Sequence, residues 1–323
     1  PGLVATRSSQ NEVAELSKNL FEGTAAPGHL VLDEKSQLGS KLRALISPSV
    51  SFSSHGADLG FIKRKTGDTE IYFVANTSNS TVTTTATFQS PGMAAEEWNP
   101  LTGNISKLKS DAKDLTIKLA PYESKLIVFT KRSLPAATPL KVQVPAPIDL
   151  SNSWVVVLRS TQTTWDKLHS WTDDPSTRYF SVVASYSKEV NVPAQFLQSG
   201  LSVKLDFGEG TPLTPVNLRN GMQTWLDGPI REAAVVYINN QRAGSVWAPP
   251  YELDITKFLT SGVNTVRIEV GNTAMNYMAG HSLPDYRLLN LRYGERFQPQ
   301  DMDKIQPLPS GLLGPVRLIA SVP

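Results

Sequence analysis

Between residues 59 and 132 apolar and polar positions alternate with a period of two. FIKRK, EIYFVAN, TVTTTATF, ISKLKS, LTIKLA and SKLIVFT are short runs rich in β-branched or aromatic residues, the composition that suits a half-buried pleated surface. Turn-forming clusters separate them: Thr66-Gly67-Asp68, Thr77–Ser80, Asn99-Pro100-Leu101-Thr102-Gly103 and Ala120-Pro121-Tyr122. Strands this short, at near-regular spacing, predict a small antiparallel β-sandwich.

Residues 1–58 read differently. Asn11 can cap a helix running to Glu22, with Val13, Leu16, Leu20 and Phe21 on one apolar stripe and Gly23 as the stop. A short strand is expected at His29–Leu32 and a second helix at Ser40–Ile46, ended by Ser47-Pro48. Two helices and one strand are too little for a domain, so this stretch reads as the α/β remnant of a preceding one. Residues 133–149 carry Pro135, Pro139, Pro145 and Pro147 among small residues and read as an extended linker. From residue 150 to 323 the strand pattern resumes in WVVVL, SVKLDFG, AAVVYINNQRAGSV, YELDI, NTVRIEVGN and GPVRLIAS. Asn239-Asn240 predicts a hairpin turn, Pro249-Pro250 a loop or an edge, and Thr256–Leu259 one helical turn. Loop insertions are expected at about 159–200 and 275–312. The fold class is therefore mainly β: two antiparallel β-sandwiches, the second of jelly-roll type, behind a short α/β remnant.

Composition narrows the function classes. A chain of 323 residues is long enough for two domains with sizeable cores. Thirty-one Lys and Arg against 29 Asp and Glu give a net charge of +2, which offers no electrostatic case for nucleic acid or an anionic membrane. Charged residues are only 19%, below the roughly 25% of an average globular chain, and this with many Ser, Thr and Asn suits an extracellular or periplasmic β-rich surface. The opening PGLVATRSSQ is not a signal peptide, so an export signal would lie outside this sequence. Without a cysteine the chain has no disulfide scaffold, Cys-ligated zinc, Fe–S cluster or thiol nucleophile. The apolar runs Trp154–Leu158 and Ala233–Ile238 fall far short of the ~20 residues that span a bilayer.

Several motifs approach catalytic patterns. Glu96-Glu97 is an adjacent carboxylate pair, but neighbouring strand residues point to opposite faces and cannot flank one glycosidic bond. Gly280-His281-Ser282-Leu283-Pro284 approaches the G-x-S-x-G elbow, with Pro in place of the last Gly and a poor strand before it. Ser106–Lys109 and Ser110–Lys113 fit S-x-x-K, a tetrapeptide that polar hairpins produce easily. His29, His55, His169 and His281 have no metal-ligand spacing, and neither metal nor cofactor is expected. The aromatic residues are the better clue. Trp165, Trp171, Tyr179, Trp225, Trp247 and Tyr251 cluster in or beside expected loops, with Asp173, Asp174, Arg178 and Asn276 as polar residues that could converge on them. A sugar ring has an apolar C–H face and a fringe of hydroxyls, which an aromatic platform with amide and carboxylate partners matches. Trp165, Trp171, Tyr179, Trp247, Tyr251 and Asn276 are thus the candidate carbohydrate-binding residues, while Trp154, Trp225 and Trp247 also suit a sandwich core.

The order YINNQRAGSVWAPPYELDIT followed by GVNTVRIEVGNT resembles the galactose-binding-like jelly roll attached to many glycoside hydrolases. More specifically, FIKRKTGDTEIYFVANTS, AEEWNPLTGNI, LAPYESKLIVF, WAPPYELDIT and LPSGLLGPVRL resemble, in order, the C-terminal region of glycoside hydrolase family 106 α-L-rhamnosidases, over about residues 59–323. The resemblance implies catalytic carboxylates on a (β/α)₈ barrel. Such a barrel needs ~250 residues of alternating strand and helix, a pattern this sequence lacks, and no family catalytic residue can be carried over. The leading expectation is an ancillary region that engages carbohydrate or buttresses a catalytic barrel. Two alternatives stand beside it: a small esterase or glycosidase using Ser106, Ser110, Ser282 or a carboxylate, and an assembly module.

Overall fold

The structure is a computed structural model that describes residues 10–23, 25–90, 92–100, 103–108, 114–131, 142–216, 225–281, 285–294 and 305–322. The chain forms two compact units, Pro1–Ser51 and Phe52–Pro323. The first holds helix α1 (Gln10–Phe21), a π-helical turn at Glu34–Leu38 and helix α2 (Gly39–Leu45). Asp33 caps the π turn by accepting the Lys35 N–H at 3.2 Å. Residues 29–32 form no strand; four residues without a partner strand leave their backbone groups unpaired, so the apolar pattern alone does not make one. Leu16, Leu32, Leu42, Leu45 and Ile46 are more than 45% exposed, so the stripes read from the sequence do not close a core of their own.

β1 (Val50–Phe52) carries the chain from the first unit into the second. There β2 (Leu59–Thr66), β3 (Thr69–Asn76), β5 (Ala94–Trp98), β6 (Ile105–Lys107) and β8 (Ser124–Thr130) form a sheet in the order β2-β3-β8-β5-β6. β4 (Val82–Phe88) and β7 (Asp114–Leu119) pair antiparallel in a second sheet. Alternation decides which side is buried: Leu115, Ile117 and Leu119 turn inward while Asp114, Thr116 and Lys118 stay exposed. Tyr72 packs edge-on to Phe88 at 4.9 Å and to Phe129 at 5.5 Å in this core. β5 was not among the expected strands. Its AAEEW sequence has weak β propensity, and pairing with β8 and β6 on both sides supplies what propensity lacks.

The second sandwich has a six-stranded and a four-stranded sheet. The first runs β11 (Thr161–Lys167), β10 (Asn152–Leu158), β12 (Val183–Val192), β20 (Gly262–Gly271), β17 (Ala233–Ile238), β18 (Gln241–Val246). The second runs β19 (Glu252–Asp254), β13 (Ser202–Asp206), β22 (Arg317–Ser321), β9 (Ile148–Asp149). Between them lie Trp154, Val156, Tyr186, Phe196, Leu205, Ile268 and Leu318, all 1% exposed or less. Asn239 and Asn240, at φ +50 and +63°, make the expected β17–β18 turn. The stretch expected as a loop at 159–200 contains the two strands β11 and β12. β11 is polar because it is an edge strand exposed at every position but Trp165, and the small polar residues of β12 hide its alternation. The stretch expected as the 275–312 loop contains helices α3 (Met275–Ala279) and α4 (Arg287–Tyr293) and the two-residue strand β21 (Gly311–Leu312). Most of the Pro-rich segment, 132–141, lies outside the described residues.

Hydrogen bonds join the sandwiches. Asn79 Nδ2 donates to the carbonyls of Leu213 and Trp225, both at 2.8 Å. The Trp225 N–H donates to Tyr122 Oη at 2.9 Å, and Thr81 Oγ1 to Glu209 Oε2 at 2.6 Å.

Candidate carbohydrate site

The β18–β19 connection, Trp247 to Tyr251, projects toward that junction and forms one wall of a cleft of about 470 Å³. Tyr122 of the smaller sandwich and Leu213, Leu226, Asp227, Ile230, Arg231 and Glu232 of the larger one complete it. Trp247 is 65% exposed, an unusual state for the most apolar-rich of the polar-tipped side chains unless something covers it. Tyr251 lies across Gly228 so closely that a Cβ there would meet its Oη at 2.7 Å; glycine alone permits the approach. Burial raises the Tyr251 pKa; Arg231 opposes the shift and Glu232 reinforces it, so the phenol remains a neutral donor. Arg231 pairs with Asp227 through Nη2, and its Nε donates to the Gly228 carbonyl at 3.2 Å. The cleft thus combines an aromatic platform, a phenolic hydroxyl and two carboxylates.

Only Trp247 and Tyr251 of the six candidate residues line this cleft. Trp171 is wholly buried and donates its indole N–H to Tyr186 Oη at 2.7 Å; a buried ring offers no face to a sugar, and its assignment as a platform is corrected to a core role. Its polar neighbours fold its own loop: Ser170 and Asp173 form a capping box, and Arg178 Nε donates to the Thr172 carbonyl. Asn276, 1% exposed, is likewise a structural amide: its Nδ2 donates to the Leu308 carbonyl at 2.9 Å and its Oδ1 accepts the Leu308 N–H at 2.8 Å. Trp165 sits in a strand, half-buried and stacked on His169 with ring centroids 3.9 Å apart. Tyr179 is 41% exposed and packs against Gly280, apart from the cleft lining. The residues that sequence reasoning missed are Tyr122, Asp227, Arg231 and Glu232. Strand pairing brings the last three to the cleft from their own short strands and turn, a long-range event without a local signal.

Glu96 is not a surface charge: it is 5% exposed and accepts the Trp98 indole N–H at 2.7 Å, whereas Glu97 pairs with Lys125 at 3.0 Å. The two carboxylates therefore serve different partners. Ser106 lies on β6, while Lys109, Ser110, Lys113 and Ser282 fall outside the described residues. Among the described residues no three His, Asp or Glu side chains gather where they could hold a metal, and no helix is long and apolar enough to cross a membrane.

A second cleft, of about 370 Å³, shares Pro249 and Tyr251 and is lined by charged residues including Glu123, Lys125, Asp206, Glu252 and Arg317. Burial raises the Glu123 pKa; its bond from the Ala120 N–H and the nearby Lys125 pull the other way, while Glu97 and Glu252 add to the rise. The folded state therefore binds this proton more tightly than the unfolded chain. Its stabilising contribution is complete below the ordinary glutamate pKa and is lost as pH rises through the higher native one. Glu123→Gln keeps an acceptor and removes the charge. The variant is expected to melt close to wild type at pH 4 and above it at pH 7, in thermal scans followed by circular dichroism.

Residues 1–111 match the glycoside hydrolase family 106 model, alpha-L-rhamnosidase. A rhamnosidase from Novosphingobium sp. PP1Y superposes with a TM-score of 0.70 at 24% identity, covering 97% of this chain and 29% of that one. A putative beta-glucuronidase of Formosa agariphila is 28% identical over 228 residues, 62% of this chain and 18% of that protein. The chain thus spans under a third of the rhamnosidase and under a fifth of the glucuronidase. The family match takes in the helical first residues and most strands of the smaller sandwich, and the shared fold covers nearly the whole chain. The chain is thus rhamnosidase-like in two respects: its first 111 residues match the family model, and it shares a rhamnosidase's β-rich fold.

Proposed function

We propose that this chain is an ancillary, carbohydrate-engaging region of a rhamnosidase-like glycoside hydrolase. The sugar lies on Trp247 of the larger sandwich, and the smaller sandwich acts as a structural spacer. Glycans of this kind are met outside the cytoplasm, so the reading includes an extracellular or periplasmic setting. The observation that carries it is the exposed Trp247 indole standing beside a tyrosine hydroxyl and two carboxylates in one cleft. A single aromatic platform adds about 1 kcal/mol beyond area burial, so binding is weak and depends strongly on that ring.

Trp247→Ala is expected to lower affinity for rhamnose-containing oligosaccharides about fivefold, measured by isothermal titration or by saturation-transfer NMR. Its melting temperature should stay within a degree or so of wild type, because an exposed side chain adds little to the fold. Equal affinity of the two proteins would remove the cleft from consideration. Turnover of aryl rhamnosides or aryl esters by the purified chain would instead make it a hydrolase in its own right.

A further inference from the structure

Three ionised side chains line the Trp247 cleft, and they are not equivalent. Arg231, with its side chain 16% exposed, is engaged on two sides: by the Asp227 carboxylate through Nη2 and by the Gly228 carbonyl through Nε. Glu232 is exposed. Its backbone N–H donates to the Gly271 carbonyl at 2.8 Å, but its carboxylate makes neither an ion pair nor a hydrogen bond with the described residues. The Asp227–Arg231 pair cancels, so among the described residues the charge left over in the lining is one carboxylate beside Tyr251 and Trp247.

We infer that the cleft selects neutral glycosyl residues and rejects uronates, with Glu232 as the specificity-determining residue. The inference rests on the carbohydrate reading of the cleft and adds the charge class of the ligand. A carboxylate accepts hydrogen bonds only, and sugar hydroxyls are donors that suit it. A uronate carboxylate placed there meets a like charge, and Arg231, the one cation among the described lining residues, already has its partners. None of the described lining residues offers the free bidentate arginine by which proteins ordinarily capture a carboxylate.

A matched pair of probes tests this: methyl β-D-glucoside and methyl β-D-glucuronoside differ only in whether C6 is a hydroxymethyl or a carboxylate, and methyl α-L-rhamnoside serves as a second neutral probe. At low salt, wild type is expected to bind the tighter neutral probe at least about fivefold better than the glucuronoside, the effect of one like charge a few ångströms away in water. Glu232→Gln should bring that ratio to within about twofold of unity, and 0.5 M NaCl should shrink it in wild type by screening. A glucuronoside that binds wild type as tightly as the neutral probes, with binding still lost in Trp247→Ala, overturns the charge selection and leaves the carbohydrate site standing. An unchanged ratio in Glu232→Gln removes Glu232 from the role. Failure of all three probes to bind in a Trp247-dependent way overturns the site and the selection together.

Discussion

Gly311→Ala is expected to destabilise the protein by about 4 kcal/mol, from two terms that a control can separate. Gly311 stands at φ +103°, a region L side chains rarely adopt. A Cβ there would also run into the Trp171 indole nitrogen and lie 2.6 Å from Tyr186 Oη. Both side chains are fully buried, and their mutual hydrogen bond holds them in place. Tyr186 Oη accepts from the Leu312 N–H as well, at 3.2 Å, so moving the phenol would strand two donors in the core. Burial pushes the Tyr186 pKa up to about 12, which keeps the phenol neutral and the arrangement intact across the physiological range. Gly262→Ala provides the control: φ is +95° there and nothing lies within 4 Å of the new methyl group, so it reports the backbone term alone, about 1–2 kcal/mol. Urea unfolding of both variants decides the matter. Equal losses would mean that the core around Trp171 yields freely to a methyl group.

The same corner of the molecule shows why some of the structure was legible in the sequence and some was not. Runs such as LTIKLA and NTVRIEVGN announce themselves because one side of each strand is buried and the other is wet, and the structure places strands at both. The edge strand holding Trp165 is polar because an edge strand can be, and the central β12 hides its alternation among small polar residues. Trp171 read as a sugar platform since its neighbours Ser170, Asp173 and Arg178 are the residue types a sugar site would use. A tight loop uses the same types to cap its own backbone. Trp247 and Tyr251 were legible together because they share one stiff Pro-Pro loop. Asp227, Arg231 and Glu232 were not: Asp227 is placed by pairing with Thr211, and Arg231 and Glu232 by pairing with a strand about 80 residues away, Ile230 with Leu312 and Arg231 with Gly311. Tyr122 comes from the other sandwich altogether.

Asn264 is the clearest case of a residue whose importance the alternation pattern conceals. It occupies the core-facing side of β20, in line with Val266, Ile268 and Val270, and is 1% exposed. An amide at such a position is tolerated only if both of its ends are satisfied, and they are. Oδ1 accepts from the Thr260 N–H at 2.9 Å and from Asn239 Nδ2 at 2.8 Å, while Nδ2 donates to the carbonyls of Thr260 at 2.6 Å and Gly262 at 3.0 Å. Asn239 in turn accepts the Thr265 N–H and donates to the Phe258 carbonyl, so one side chain ties the β17–β18 turn to the start of β20. Asn264→Leu keeps the branched shape but leaves two donors and two acceptors without partners. Each stranded buried group costs about 1–3 kcal/mol, and partial access to water at this end of the strand brings the expected total to about 3 kcal/mol. Asn264→Asp should cost a similar amount for a different reason, since it keeps the acceptor, loses both donations and adds a charge. Val263→Ala, next door on the solvent side at 65% exposure, should change the unfolding free energy by no more than about 0.5 kcal/mol. If Asn264→Leu unfolds at the same urea concentration as Val263→Ala, the amide is a passenger in an apolar row; if it falls as expected, this clasp is what holds β20 to the hairpin from which the Trp247 loop is hung.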